Sequence, residues 1–203
     1  MTKETSTEEK IKAAAKELFH QKGFAGTKTR DIAEKAEINL ALLNYYFRSK
    51  EKLFGIVMQD GVRELFGIIR MEMYDAETSL SDKIAKVVNI YCDILKENPN
   101  LPLFILSEIQ ANPGKLAEGL QLPEGFLVNT ILYQQIKEQL KVSGQESLNP
   151  IHILINVLSM TIFPFVTMPF VKTVANFPDD SFNQFLEERR TLIPLWIKSM
   201  LQL

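Results

Sequence analysis

The chain has 203 residues, 46% of them hydrophobic and 24% charged, which is the composition of an ordinary globular protein of one large or two small domains. A lone cysteine, Cys92, rules out an internal disulfide and fits a reducing compartment. The net charge of −2 excludes a strongly basic body, but residues 1–50 hold ten Lys/Arg against seven Asp/Glu, whereas residues 51–203 hold thirteen against eighteen. A mildly basic head on an acidic body is the asymmetry expected if only the head meets phosphates.

The opening MTKETSTEEK is acidic and lacks an apolar run, so no secretory signal is expected there. A first helix is expected from Ser6 to Lys22. Ser6 and Glu9 have capping-box spacing, and Ile11, Ala14, Ala15, Leu18 and Phe19 form one apolar stripe. Gly23 should end it, with His20 beside that end as a helix-dipole partner or a solvated side chain. Gly26 and Thr27 then turn the chain. Thr29 is the expected N-cap of a second helix, whose Ile32, Ala33 and Ala36 face inward.

Glu37, Ile38 and Asn39 make a tight turn, and Asn39 caps a third helix held down by Leu43 and Phe47. Left over on that helix are Leu40, Ala41, Leu42, Asn44 and Tyr45, with Tyr46 at the edge. Leu40 lies within reach of the buried side. Leu42 and Tyr45 cannot be core if Leu43 and Phe47 are. A short helix packed on one side and offering small, amide and phenolic groups on the other suits the DNA major groove. Ser49 caps a fourth helix. Lys50, in its first turn, has the wrong sign for the helix dipole unless an external anion shares the site.

The run T-x-T-x-x-I-A-x-x-A, followed after about seven residues by L-N-Y-Y-F-x-S-K-E-x-L, resembles the DNA-binding domain of the TetR family of bacterial transcriptional regulators. The matching positions are Thr27, Thr29, Ile32, Ala33, Ala36, Leu43, Asn44, Tyr45, Tyr46, Phe47, Ser49, Lys50, Glu51 and Leu53. The resemblance implies an all-α fold: an N-terminal three-helix helix-turn-helix domain, residues 1–50, then a C-terminal helical bundle for ligand binding and dimerisation, residues 51–203. A fourth helix, 50–74, is the connector. It further implies phosphate contacts from Lys28, Thr29, Tyr46 and Lys50, and base or sugar contacts from Arg30, Ala41, Leu42, Asn44 and Tyr45. Asn44 has the geometry to bond adenine N6 and N7. Glu37 departs from the family by standing where a turn glycine is frequent, and Asn44 stands where many members have tyrosine.

Past the connector, helices are expected from Ser79 or Ser81 to Asn98, over Leu101–Ala111, from Gly125 to Lys141, over about 149–170 and over 181–201, with Leu116–Pro123 a loop or weak turn. Pro178, Asp179, Asp180 and Ser181 should start the last one. Residues 148–171 carry no Asp, Glu, Lys or Arg, a length that invites a transmembrane reading. His152, Asn156, Ser159 and the prolines argue instead for a helix buried between subunits, with His152 and Asn156 as satisfied interior polar groups. Pro164, Pro169 and Pro194 should kink or shorten the helices that hold them. The resemblance implies that the last two helices pair with their copies, through residues such as Ile155, Phe165, Phe185, Arg189 and Trp196. It also implies an effector pocket drawn from Phe104, Phe126, Tyr133, Asn156, Met160 and Phe163.

No P-loop, CxxC, HExxH or Ser/His/Asp arrangement is present, so no enzymatic role, metal or cofactor is expected. The expected function is a cytoplasmic, homodimeric repressor released from a palindromic operator by a small, largely apolar effector. The alternatives are a helical adaptor whose head has lost DNA affinity, and a regulator without a small ligand.

Overall fold

The computed structural model describes residues 6–178 and 181–203, and every regular element among them is helical. The expectation for Asp179 and Asp180, like that for residues 1–5, lies outside the described residues. Helix α1 (Thr7–Gly26) begins with the predicted capping box: the Glu9 N–H donates to Ser6 Oγ at 3.2 Å, and the Ser6 N–H to Glu9 Oε2 at 3.0 Å. Gly23 breaks it, with φ 67° and ψ 174°, before one more helical turn. A side chain in that conformation would be strained, which is why glycine occupies it.

Helix α2 (Thr29–Lys35) corrects one expectation. Lys28 stands at the N-cap and Thr29 is the first helical residue, with no side-chain cap bond. The threonine that fastens this corner is Thr27. Its buried hydroxyl lies 2.7 Å from the Gly23 carbonyl and 3.0 Å from that of Leu18, bridging the two sides of the break at Gly23. Helix α3 (Leu40–Phe47) is capped as expected by Asn39, whose Oδ1 accepts from the Leu42 N–H at 2.8 Å. Helix α4 (Lys50–Tyr74) is capped by Ser49.

Helix α4 runs between the first three helices and the rest, and one apolar core continues along it from Ile11, Phe19, Ile32, Leu43 and Phe47 into the C-terminal bundle. The Phe54 ring meets Phe19 edge-on at 5.0 Å and Phe24 at 4.9 Å, and touches Phe104 at 6.5 Å. Gly61 lies close against Leu101, which a Cβ there would meet at 3.4 Å, whereas Gly67 faces open space. Two polar links close the same seam. Asn100 Nδ2 donates to the Phe19 carbonyl at 3.3 Å, and the exposed His20 sets Nδ1 against the Glu97 carbonyl. His20 therefore joins α1 to the last residue of the helix that follows α4.

The bundle continues with α5 (Leu80–Glu97), α6 (Leu101–Ala111), α7 (Pro113–Gly119), α8 (Ile131–Val142), α9 (Ile151–Val174) and α10 (Ser181–Leu201). Ser79, not Ser81, caps α5. Helix α7 replaces the start of the expected loop, because Asn112 caps it and Pro113 supplies its first residue. The segment expected to be helical from Gly125 starts only at Ile131. Gly125 lies at φ 70°, and Thr130 is extended and caps α8 through its hydroxyl. Cys92 is buried, and burial pushes its thiol above the ordinary range, which makes it a packing group.

Helices α9 and α10 stay continuous through Pro164, Pro169 and Pro194. At Pro164 the reason is visible. Proline has no N–H for the Met160 carbonyl, and the Arg189 guanidinium supplies two instead, at 2.6 and 3.1 Å. Helix α9 is long and apolar enough to cross a membrane by length and composition, with mean hydropathy 1.8 over its most apolar window, of which a third is buried. Its open side corrects the reading of His152 and Asn156: His152 is exposed and Asn156 half-buried, its amide 3.6 Å from the Met200 sulfur.

Candidate nucleic-acid interface

Helix α3 is anchored by two side chains one turn apart. Leu43 is fully buried and Phe47 nearly so, and both join the core made by Ile11, Phe19 and Ile32. That fixes the rotation of the helix, and everything at the other angles faces out. Tyr45 is 80% exposed, Tyr46 40%, and Ala41 and Asn44 are exposed as well. The rings of Tyr45 and Tyr46 meet edge-on at 5.6 Å, so the two phenols stand as a pair at the helix end. Leu42 is half-buried without joining the core. Leu40 is half-buried and packs against it, so the part of α3 free to meet a ligand begins after Leu40.

Exposed cations stand on the segments next to α3 in the chain. Lys28 and Arg30 are exposed at the start of α2, and Thr29 between them is half-buried. Arg48, just past α3, is exposed with φ 59°. Among the described residues none of these three cations forms an ion pair, whereas Lys22 pairs with Asp31 at 3.4 Å and Lys35 with Glu17 at 2.7 Å. Arg48 was missed by sequence reading. Its only signal was its place directly after the last residue of the helix.

Lys50 behaves otherwise. Its ammonium donates to the carbonyls of Phe24 at 2.9 Å and Thr27 at 3.1 Å, and it lies 4.2 Å from the Phe24 ring centroid. These contacts explain a cation at the N-terminus of α4 without an external anion: it closes the α1–α2 corner from behind. Glu51, beside it, is held below the ordinary carboxylate range by the backbone N–H at the helix start and the Ser49 hydroxyl.

Of the residues expected to line an effector pocket, Phe126 lines a cavity between α4, α5, α8 and α9, and Phe163 one between α4, α5, α6 and α9. Met160 instead borders a cleft with Arg189, and Phe104 a cleft beside α7. Tyr133 and Asn156 line neither cavity. The set is scattered because inward and outward faces of α9 cannot be separated in an all-round apolar helix. Of the residues expected between subunits, Ile155 is 56% and Trp196 38% exposed. Phe165 packs on the core and against Phe182, and Phe185 lies against Phe177. Arg189 is spent inside its own chain on Met160 and on the Phe185 and Trp196 rings.

Among the described residues no group of three His, Cys, Asp or Glu is placed to hold a metal. What the site offers is a short, rigid, convex helix face with free cations on the flanking segments.

Residues 11–56 match the family described as bacterial regulatory proteins, tetR family. The chain is 25% identical over 96% of its length to the HTH-type transcriptional regulator YttP of Bacillus subtilis, covering 94% of that protein. Over 88 residues, 42% of each chain, it is 31% identical to the HTH-type transcriptional repressor NicS of Pseudomonas putida. Its fold is similar to that of GusR from Salmonella enterica, with a TM-score of 0.60 at 17% identity, covering 100% of this chain and 99% of that one.

Proposed function

As a member of the TetR family of bacterial transcriptional regulators, whose DNA-binding helix-turn-helix it carries, this chain is, we propose, a cytoplasmic, non-enzymatic, homodimeric repressor that a small, largely apolar effector releases from a palindromic operator. Residues 1–50 form the DNA-binding head, and 51–203, entered through α4, the effector-binding and dimerising body. The observation that carries the reading is the outward face of α3, with Tyr45 80% exposed while Leu43 is fully buried.

In this reading Arg30, Ala41, Leu42, Asn44 and Tyr45 meet base edges and sugars, Asn44 as the adenine reader. Lys28, Thr29, Tyr46 and Arg48 hold the flanking phosphates. Lys50 keeps the α2 corner in register and has one N–H left for a phosphate. Two heads on a twofold axis would meet half-sites about 34 Å apart or a multiple of it. The seam of Phe19, Phe54, Phe104, His20 and Asn100 ties head to body, so an effector that shifts α4 or α6 would alter head spacing by selecting among conformers.

The test is a gel shift on the promoter beside the protein's own gene. Asn44→Ala with Tyr45→Ala should weaken operator binding at least about 30-fold, at about 1 kcal/mol or more per lost base contact, with unchanged thermal stability. Lys28→Ala should instead flatten the salt dependence by about two units of slope, about one for each head of the dimer. Undiminished operator binding by the Asn44/Tyr45 variant would remove α3 from the interface.

A further inference from the structure

Two cavities of the bundle share a wall, and the one bordered by Leu106, Ile109 and Phe163 opens to solvent past those exposed side chains. One, of about 320 Å3, lies between α4, α5, α8 and α9; the other, of about 350 Å3, between α4, α5, α6 and α9. Phe66, Tyr91, Ile155 and Leu158 line both. Each has the size of a small-ligand site. No Asp, Glu, Lys, Arg or His lines either cavity, and besides Tyr91 the only hydroxyl is that of Ser159, which donates to the Asn156 carbonyl at 3.3 Å.

Tyr91 is the anomaly. It is 6% exposed and lines both chambers, and its hydroxyl is not among the buried polar atoms that lack a partner, so it is not sealed off from this space. Burial pushes the phenol well above its ordinary range, so it stays an O–H donor at neutral pH. A phenol on an otherwise apolar wall offers a ligand acceptor a hydrogen bond worth about 1 kcal/mol. Ionised groups find no counter-charge on these walls and would lose their hydration on entry.

We propose that the two cavities form one continuous site for an elongated, uncharged, largely apolar molecule with a hydrogen-bond acceptor near its middle, which takes the Tyr91 O–H. The proposal rests on reading the bundle as effector-binding, and it specifies the effector's class. It also explains why Tyr91 lies on the wall common to both chambers: a group placed there reaches the middle of a ligand that spans them.

The test uses the full chain without DNA. N-phenyl-1-naphthylamine, whose fluorescence rises in apolar sites, is displaced by three molecules of similar size that differ at the carbon between two phenyl rings: diphenylmethane, benzophenone and diphenylacetate. The ketone is expected to displace it at about tenfold lower concentration than the carboxylate. Tyr91→Phe, which keeps the ring and its packing, should weaken the ketone about tenfold and leave diphenylmethane unchanged. Leu158→Trp, which fills the shared wall, should abolish binding of diphenylmethane and ketone together, and Leu158→Phe weaken both if the larger change prevents folding. Equal binding of ketone and carboxylate, or a ketone affinity indifferent to Tyr91→Phe, would overturn the proposal. Operator release is scored separately by gel shift. Ketone binding that never releases DNA would sink the repressor mechanism and leave the ligand class standing.

Discussion

Glu37 holds the turn between α2 and α3 at φ 56°, a left-handed conformation that costs a residue with a Cβ about 1 kcal/mol or more. The departure from a turn glycine is thus paid for in backbone strain, and the fold absorbs it because the flanking helices are anchored by Ile32 and Leu43, both fully buried. Glu37→Gly should raise the stability by up to about 1 kcal/mol in urea unfolding, the relief of strain being partly offset by the greater entropy of the unfolded glycine chain. A loss of stability would mean that the Glu37 side chain does something the backbone angle does not reveal. Tyr45 shows the opposite economy at this scale. It is a large aromatic residue left four-fifths exposed on a helix whose other side is fully packed, and in the proposed function the duplex is what covers it.

Among elements, α9 carries the most unusual local chemistry. Pro164 would ordinarily break a helix, at about 3 kcal/mol, by removing one hydrogen bond and crowding the preceding turn. The Arg189 guanidinium from α10 repairs half of that by bonding the orphaned Met160 carbonyl, and the Phe185 and Trp196 rings, each 5.4 Å from it, hold the cation in place. Arg189→Met should therefore cost about 2 kcal/mol. In a Pro164→Ala background the new N–H serves the carbonyl, and the cost should fall by about 1 kcal/mol in a double-mutant cycle. Additive effects in thermal or urea unfolding would show that Arg189 acts through its rings alone. The same engagement leaves Arg189 poorly placed to serve a subunit interface.

For the whole molecule, the decisive surface is the apolar side of α9 and α10 that the chain leaves uncovered. Phe163, Phe170 and Val174 on α9 are each more than 60% exposed, and Leu195 on α10 is 52% exposed. Patches of this kind on a folded chain mark association, and a second copy placed on a twofold axis is the occupant the proposed function requires. Phe170→Glu with Leu195→Glu, neither of which lines the two inner cavities, should shift the sedimenting species from dimer to monomer. Operator affinity should fall about 100-fold as the two heads lose their linkage. Unaltered sedimentation would place the interface elsewhere.

The amino-acid order alone determined the helix caps at Ser6, Asn39 and Ser49, the buried stripe from Ile11 to Phe19, and the rotation of α3. These follow from hydrogen bonds and periodicities that operate within one or two turns of chain. Even the reading of α3 as a DNA-facing helix needed only Leu43, Phe47 and the residues left between them. What the order could not determine was which partner a side chain would find across the fold. Lys50 reaches carbonyls that precede it by 26 and 23 residues, Arg189 serves a proline in another helix, and Tyr91 faces space that four helices enclose. On α9, where nearly every residue is apolar, periodicity carries no phase, so only packing against α5, α6 and α10 decided which positions became core, cavity wall or open surface.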